Sequence, residues 1–150
     1  KNLAKRFDYI FEKENKYPGA PSVLPFEVLN NQNFQIKNQE IIPINAMHGN
    51  LQVFGYRIKD FVYLTDVKTI ETSELEKLKN VDVLVINALR FESHNTHFNI
   101  EEALNFINLV QPKKAYLTHI SHILGLHEEV QKQLPENVFL AHDNLEIEIK

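Results

Sequence analysis

Val81-Asp-Val-Leu-Val-Ile86 is the run of sequence at which the pattern of the chain changes. This mostly apolar run is typical of a strand that is buried on both faces of a sheet. Farther along, Asn99-Ile-Glu-Glu102 has the pattern of a capping box that opens a helix, and Lys114–Leu117 is another strand-like run. Strands that alternate with helices in this way predict helices packed on a sheet.

Before this run, strand-like segments follow one another without helices between them. Leu51–Ile58 and Phe61–Thr65 are rich in aromatic and β-branched residues, and Lys59-Asp60 separates them. This arrangement predicts an antiparallel hairpin with a two-residue turn. Glu40–Met47 predicts a longer strand before the hairpin, where Pro43 indicates an edge or a bulge. Together the two halves of the pattern predict an α/β (α+β) fold, in which helices pack on a mixed sheet.

Several shorter elements follow from the same patterns. The first dozen residues predict a helix, because Leu3, Phe7 and Ile10 recur at helical spacing. The other predicted elements are short runs at Val23–Leu29 and Phe34–Ile36, a helix opened by the capping box Ser73-Glu-Leu-Glu76, a helix that Ser121 caps and that carries Ile123, Leu126, Val130 and Leu134, and a closing pair of strands at Val138–Ala141 and Leu145–Ile149.

Composition limits the classes of function. The chain has 150 residues, of which 43% are hydrophobic, which suits one globular domain or a large piece of one. A net charge of -4 gives no basic surface for wrapping nucleic acid. The absence of cysteine excludes disulfides and thiolate zinc sites, so imidazole and carboxylate would have to hold any zinc, manganese or iron. No apolar run approaches the ~20 residues that span a membrane, and no signal peptide is visible. A cytoplasmic protein is therefore expected.

A carboxylate and three imidazoles stand at or near the ends of strand-like runs. Asp66 ends the second arm of the hairpin, His48 stands between the preceding strand and Gly49, and His119 directly follows a later strand; His97 lies before a helix. Side chains at strand ends have rigid roots, which a metal site requires. Taken singly, each of them is more simply explained as a hydrogen-bonded structural residue. Their concentration in one domain favours a metal site, and the spacing leaves both interpretations open.

Three segments of the chain resemble the C-terminal part of the metallo-β-lactamase superfamily. The resemblance is strongest to its cyclic phosphodiesterase branch, the PhnP-like phosphoribosyl cyclic phosphate phosphodiesterases of phosphonate degradation, and it runs from about Phe7 to Ile149. The segments are Ala46-Met-His48-Gly with the hairpin that ends in Tyr63-Leu-Thr-Asp66, Asn95-Thr-His97-Phe, and Tyr116-Leu-Thr-His119-Ile-Ser-His122, to which the closing Asn137–Asp143 segment adds a fourth point of likeness.

The resemblance implies a role for each residue of the site. His48 would bind one divalent metal ion, His119 the other, and Asp66 would bridge them. His97 would lie outside the metal shell, contact the substrate phosphate and donate a proton to the leaving oxygen, while a metal-activated hydroxide attacks phosphorus. His94 either lines the same loop on the substrate side or is a solvated loop histidine. The remaining histidines, His122, His127 and His142, are expected to be structural or exposed.

One departure from the family pattern is large. The His-x-His-x-Asp-His motif, which supplies most of the metal ligands in the superfamily, does not occur in this sequence. The resemblance therefore implies that residues 1–150 form a single partial domain, the C-terminal part of an αββα sandwich without its N-terminal portion. His48, Asp66 and His119 alone cannot form a dinuclear site, so the chain by itself is expected to be inactive.

Two other functions stay open at this stage. The first is a tRNA 3′-end endonuclease of the same superfamily, although the acidic balance makes a nucleic acid partner the poorer expectation. The second is a domain that only mediates association, because a sheet edge exposed by a missing half would favour pairing with other copies and hence a homo-oligomer. The preferred expectation is a hydrolase of a small-molecule phosphodiester, either a cyclic phosphate or a nucleotide-like substrate.

Overall fold

A computed structural model of the chain describes residues 2–11 and 18–149. A 3-10 helix covers Thr72–Leu78. The helices are α1 (Asn2–Arg6), α2 (Asp8–Phe11), α3 (Ile100–Val110) and α4 (His127–Gln131), and the strands are β1 (Phe34–Ile36), β2 (Gln39–His48), β3 (Leu51–Ile58), β4 (Phe61–Leu64), β5 (Val83–Asn87), β6 (Lys114–Thr118) and β7 (Val138–Leu140).

Strand direction is the property of the fold that positions the site. Within the described residues, β1 to β7 form one mixed sheet in chain order. The pairs from β1 to β4 are antiparallel and those from β4 to β7 are parallel. Because β2 and β4 both run against β3, they point the same way as β5, β6 and β7. These five strands therefore end at one side of the sheet, which we call the carboxyl edge; the opposite side is the amino edge.

The core lies between the sheet and α3, which packs against β5. Leu84, Ile86 and Leu117 are fully buried on one face of the parallel strands. The inward side of α3 adds Ala103 and Ile107 to the same cluster. Full burial of one such side chain stabilises the fold by about 1.5–3 kcal/mol, so this layer is rigid enough to hold the strand ends in fixed positions.

The central predictions of the sequence are confirmed. β3 and β4 form the antiparallel hairpin around Lys59-Asp60. The side chain of Asn99 accepts a hydrogen bond from the Glu102 amide while the Glu102 side chain accepts one from the Asn99 amide, which completes the capping box. A mixed sheet with helices packed on it is the observed fold class.

Two local predictions are wrong. The 3-10 helix begins at Thr72, so the predicted cap Ser73 lies inside it, and the residue at the N-cap position, Glu71, makes no side-chain capping bond. Glu74 is buried, and its carboxylate accepts hydrogen bonds from the Asn45 amide and from Lys77. The long helix predicted after Ser121 is reduced to α4, because Gly125 adopts φ +117 two residues before it. That value lies outside the helical range.

The ends of the chain also differ from the predictions. The helix predicted over the first dozen residues is divided into α1 and α2, and residue 12 lies outside the described range, as does Tyr17. Val23–Leu29 forms no strand, nor does Leu145–Ile149. Among the described residues, no helix has the length and apolar character needed to cross a membrane.

Candidate metal centre at the carboxyl edge

The residues singled out from the sequence meet at the carboxyl edge. His48 is the last residue of β2, Asp66 lies two residues beyond β4, and His119 lies one residue beyond β6. Asp66 and His119 both adopt the left-handed conformation, with φ of 58° and 57°. Aspartate and histidine are among the non-glycine residues that tolerate this region, and here it turns both side chains out of the strand direction.

His97 lies at the centre of the group. It comes from the segment between β5 and α3, and its Nε2 is 3.2 Å from Oδ1 of Asp66. The His97 ring meets the His48 ring edge-on at 4.5 Å and stacks on the His119 ring at 4.6 Å between centroids. His119 Nε2 lies 3.6 Å from the same oxygen of Asp66. The structure therefore brings together the carboxylate and the three imidazoles that the sequence indicated.

Backbone hydrogen bonds and one ion pair hold together three loops of the site, namely those that follow β2, β4 and β5. The segment after Asp66 forms a bridge with the end of β2, in which the Met47 amide donates to the Thr69 carbonyl and the Lys68 amide donates to the Met47 carbonyl. The Lys68 ammonium binds both carboxylate oxygens of Glu102, at 2.6 and 2.8 Å. Because Glu102 caps α3, this ion pair connects the Asp66 loop to the loop that carries His97.

The donor set fits a divalent metal ion. His48, Asp66 and His97 each offer one ligand atom, and these three atoms lie within 4.8 Å of one another. His48 Nδ1 lies 3.0 Å from the carbonyl oxygen of Thr96, which only an N–H donor can satisfy. Nε2 of that ring is then the free lone pair, which is the usual arrangement of a metal-binding histidine. Imidazole and carboxylate donors of this kind suit zinc, manganese or iron.

His48, Asp66 and His97, which we call the tight group, differ in one member from the ligand set that the resemblance implied. That set was His48, Asp66 and His119, with His97 outside it. In the structure His97 takes part in the tight group and His119 lies beside Asp66. Both rings are in reach of the carboxylate, so the division of roles between His97 and His119 remains a prediction.

The pKa values of the central pair are shifted downwards. Partial burial raises the pKa of Asp66, but the hydrogen bond with His97 and the charge of His119 together lower it below its ordinary value. Burial lowers the pKa of His97 more than the hydrogen bond to Asp66 raises it. At neutral pH the pair is therefore a carboxylate and a neutral imidazole, the forms that bind metal. An anionic phosphodiester beside His97 would raise the pKa of its ring and favour the proton-donor role.

Of the other histidines, His94 lies beside His97, and the remaining three are exposed or make a structural contact. His94 lies in the same loop as His97, with 3.2 Å between their Nδ1 atoms, and both rings contact Thr96 Oγ1. His122 and His142 are exposed. His127 Nε2 contacts the Leu140 carbonyl at 3.2 Å, which is a structural contact.

Two residues that support the site were not predicted from the sequence. Thr96 holds His48 through its carbonyl and His97 through its hydroxyl. Asn87, at the end of β5, is fully buried and bonds the backbone beside Asp66. An asparagine that ends an apolar run was the only available signal, and its partner depends on the path of a distant loop.

Known proteins resemble this chain in sequence and in structure. Residues 1–120 match the family described as "Beta-lactamase superfamily domain". An octanoyltransferase of Porphyromonas gingivalis is 36% identical over 146 residues, which are 97% of this chain and 30% of that protein.

Two solved structures add to this. A crystal structure of a new diphosphatase from the PhnP family matches with a TM-score of 0.85 and 31% identity, over 99% of this chain and 54% of that one. The metallo-β-lactamase fold protein YhfI from Bacillus subtilis matches with a TM-score of 0.66 and 19% identity, over 91% and 58% of the two chains, and shows the fold alone. This chain thus spans about half the length of the diphosphatase and less than a third of the octanoyltransferase.

Proposed function

This chain belongs to the metallo-β-lactamase superfamily, in its PhnP-like branch, and from that premise we propose that the protein to which it belongs is a metal-dependent phosphodiesterase. Its substrate would be a small phosphodiester, either a cyclic phosphate or a nucleotide-like compound. The observation that carries the proposal is the contact of His97 with Asp66 between His48 and His119 at the ends of parallel strands. The diphosphatase that matches at 31% identity supports phosphorus chemistry for such a site.

His48, Asp66 and His119 would hold divalent metal ions together with ligands from outside this chain. When bound, such ions polarise a phosphoryl oxygen and lower the pKa of water towards neutrality. Asp66 keeps His97 oriented by accepting its Nε2–H, and Thr96 Oγ1 holds the ring at Nδ1. We assign His97 as the group that donates a proton to the leaving oxygen once substrate replaces part of its contact with Asp66. His94, through its contact with His97, would line the substrate side of the same loop.

Three other functions have weaker support. A tRNA 3′-end endonuclease needs an electropositive surface, whereas this chain carries a net charge of -4. Acyl transfer is the activity named for the octanoyltransferase, and this chain covers only 30% of the length of that protein. Neither is supported by a contact of the described residues, and an association domain without catalysis would not need the contact between His97 and Asp66.

The test uses the full-length protein loaded with zinc or manganese. Hydrolysis is measured on bis-p-nitrophenyl phosphate, a ribose cyclic phosphate and a tRNA precursor. We expect turnover of the two small phosphodiesters and a metal content of about two per chain. Cleavage of the tRNA precursor in preference to both small substrates would overturn the proposal in favour of the endonuclease. Full-length protein that binds no metal and cleaves none of the three would leave only association.

A further inference from the structure

Asn87 is a fully buried polar side chain at the end of the apolar strand β5. Its Oδ1 accepts a hydrogen bond from the Val67 amide at 2.8 Å, and its Nδ2 donates one to the Val67 carbonyl at 3.0 Å. Both ends of the amide therefore bind the backbone of one residue. A buried amide without partners costs several kcal/mol in an apolar surrounding, so this asparagine is fixed in a single orientation.

Val67 connects the two central residues of the candidate metal centre. It directly follows Asp66, whose left-handed conformation requires support from its surroundings. Its carbonyl also accepts a hydrogen bond from the Phe98 amide at 2.9 Å, and Phe98 directly follows His97. The Phe98 carbonyl in turn accepts from the Leu89 amide, two residues beyond Asn87. The end of β5 thus holds the residue after Asp66 and the residue after His97 in one hydrogen-bonded unit.

From this arrangement we propose that Asn87 is a positioning residue, which holds Val67 so that the Asp66 carboxylate and the His97 imidazole stay within reach of one ligand. Asn87 bonds the backbone of Val67 and lies outside the group of ligand atoms formed by His48, Asp66 and His97. Its effect passes through the backbone. Loss of the two hydrogen bonds to Val67 frees the turn at Asp66, and the 3.2 Å contact between Oδ1 of Asp66 and Nε2 of His97 is then no longer fixed. Groups that orient metal ligands typically change metal affinity about 10–100-fold when they are removed.

Asparagine is the side chain that fits this role. Leucine has a similar shape and supplies neither hydrogen bond. Aspartate can accept from the Val67 amide but, when ionised, it cannot donate to the Val67 carbonyl. The Asn87→Leu and Asn87→Asp variants therefore remove two bonds and one bond, respectively, without creating a large cavity.

The experiment compares Asn87→Leu and Asn87→Asp with the wild type and with Val138→Ala, in the full-length protein. Val138 is buried in β7, so its truncation lowers Tm without removing a contact to Val67. Zinc affinity is measured by competition with a chelator, and hydrogen exchange is measured at the Val67 and Phe98 amides. We expect both Asn87 variants to bind zinc about 10–100-fold more weakly. Exchange at both amides should accelerate about tenfold or more. Val138→Ala should leave zinc affinity within twofold of the wild type, and it should accelerate exchange at these amides only by as much as its loss of global stability requires.

The inference rests on the proposed function only through the metal, and the two fail in different ways. If the wild type binds no zinc, the proposed function fails while the exchange data still decide the role of Asn87. If Asn87→Leu does not fold, Asn87→Asp supplies the same comparison. Zinc affinity and amide exchange that stay at the wild-type level in a folded Asn87 variant would overturn the inference. A loss of affinity in Val138→Ala equal to that in the Asn87 variants would also overturn it, because stability alone would then explain the effect.

Discussion

The two edges of the sheet carry similar residue types in different surroundings. At the amino edge, Lys113 Nζ lies 2.7 Å from Oδ2 of Asp82, and the two side chains are 75% and 43% exposed. At the carboxyl edge, Lys68 Nζ lies 2.6 Å from Oε1 of Glu102, and the side chains are 20% and 34% exposed. The distances are almost equal. The difference lies in the access of water and in the further contacts of Lys68 and Glu102, because the Lys68 amide donates to the Met47 carbonyl and Glu102 accepts from the Asn99 amide.

The role of an ion pair or a histidine in this protein depends on which loops its partners belong to. Water screens the pair at the amino edge, and neither side chain connects loops of a site. At the carboxyl edge, Lys68 stands two residues after Asp66, and Glu102 caps the helix that follows His97. Substitutions at the carboxyl edge should therefore change activity and stability, whereas substitutions at the amino edge should change little.

The largest difference between the edges is expected for His97→Ala. If His97 donates the proton, kcat falls about 10²–10⁴-fold while metal content stays at the wild-type level. Lys113→Ala at the amino edge is the matched control and should leave kcat within twofold. The measurement pairs steady-state kinetics on bis-p-nitrophenyl phosphate with metal analysis of each purified variant.

A loss of metal in His97→Ala would make His97 a ligand and His119 the better candidate for a group outside the metal shell. That result would agree with the tight group formed by His48, Asp66 and His97. His119→Ala is the reciprocal variant, and the two must give opposite outcomes if the ligand role belongs to only one of these histidines.

The turns at the two edges should respond oppositely to substitution. Gly49, next to His48, has φ 61°, and an added Cβ would lie 3.0 Å from Cγ2 of Thr96. Gly49→Ala should therefore destabilise the protein by about 1–2 kcal/mol, through strain and the displacement of Thr96. Lys59, in the turn at the amino edge, has φ 51°, so Lys59→Gly relieves strain and should leave Tm unchanged or raise it. Thermal unfolding checks both, and a lower Tm for Lys59→Gly than for Gly49→Ala would contradict the comparison.

The pH dependence of stability should also separate the edges. Burial raises the pKa of Glu102, but its hydrogen bonds with Lys68 and the Asn99 backbone and the Lys68 charge lower it overall. A lowered folded-state pKa contributes stability that is fully present above the unfolded value near 4.5 and is lost as the pH falls through the folded value. Glu102→Gln should cost about 1 kcal/mol near neutral pH, since the pair is partly exposed, and close to nothing in acid. Urea unfolding across this pH range measures the difference, and a cost that is independent of pH would contradict it.

The sequence allowed prediction where local chemistry decides the structure. The turn at Lys59-Asp60 and the capping box of Asn99 with Glu102 depend on residues within a few positions of each other, and both are confirmed. The meeting of His48 and Asp66 followed from their places at strand ends, because strands that point the same way finish at one edge. The clamp of Asn87 on Val67 could not be predicted, since it joins residues twenty positions apart through the path of a loop.

The wrong predictions also concern segments whose structure depends on distant parts of the chain. The apolar spacing after Ser121 predicted a long helix, but Leu126 is 69% exposed and the backbone turns at Gly125. Periodicity alone does not show whether a face will be covered by other elements. Leu145 and Ile147 alternate as a strand would, and they lie in the closing segment without regular pairing to β7. Backbone pairing depends on the neighbouring strand as much as on the alternating pattern.

The smallest effect is expected for the pair at the amino edge. The carboxylate of Asp82 raises the pKa of Lys113 through a hydrogen bond and through its charge, yet the lysine side chain is 75% exposed. Water and salt screen such a pair, and ordering two mobile side chains opposes its attraction. Asp82→Asn should therefore leave Tm unchanged within error at low and at high salt, and it should leave kcat unchanged. A clear loss of stability that disappears in high salt would show that the amino edge, too, depends on its charges, and exposure would then not be what distinguishes the two edges.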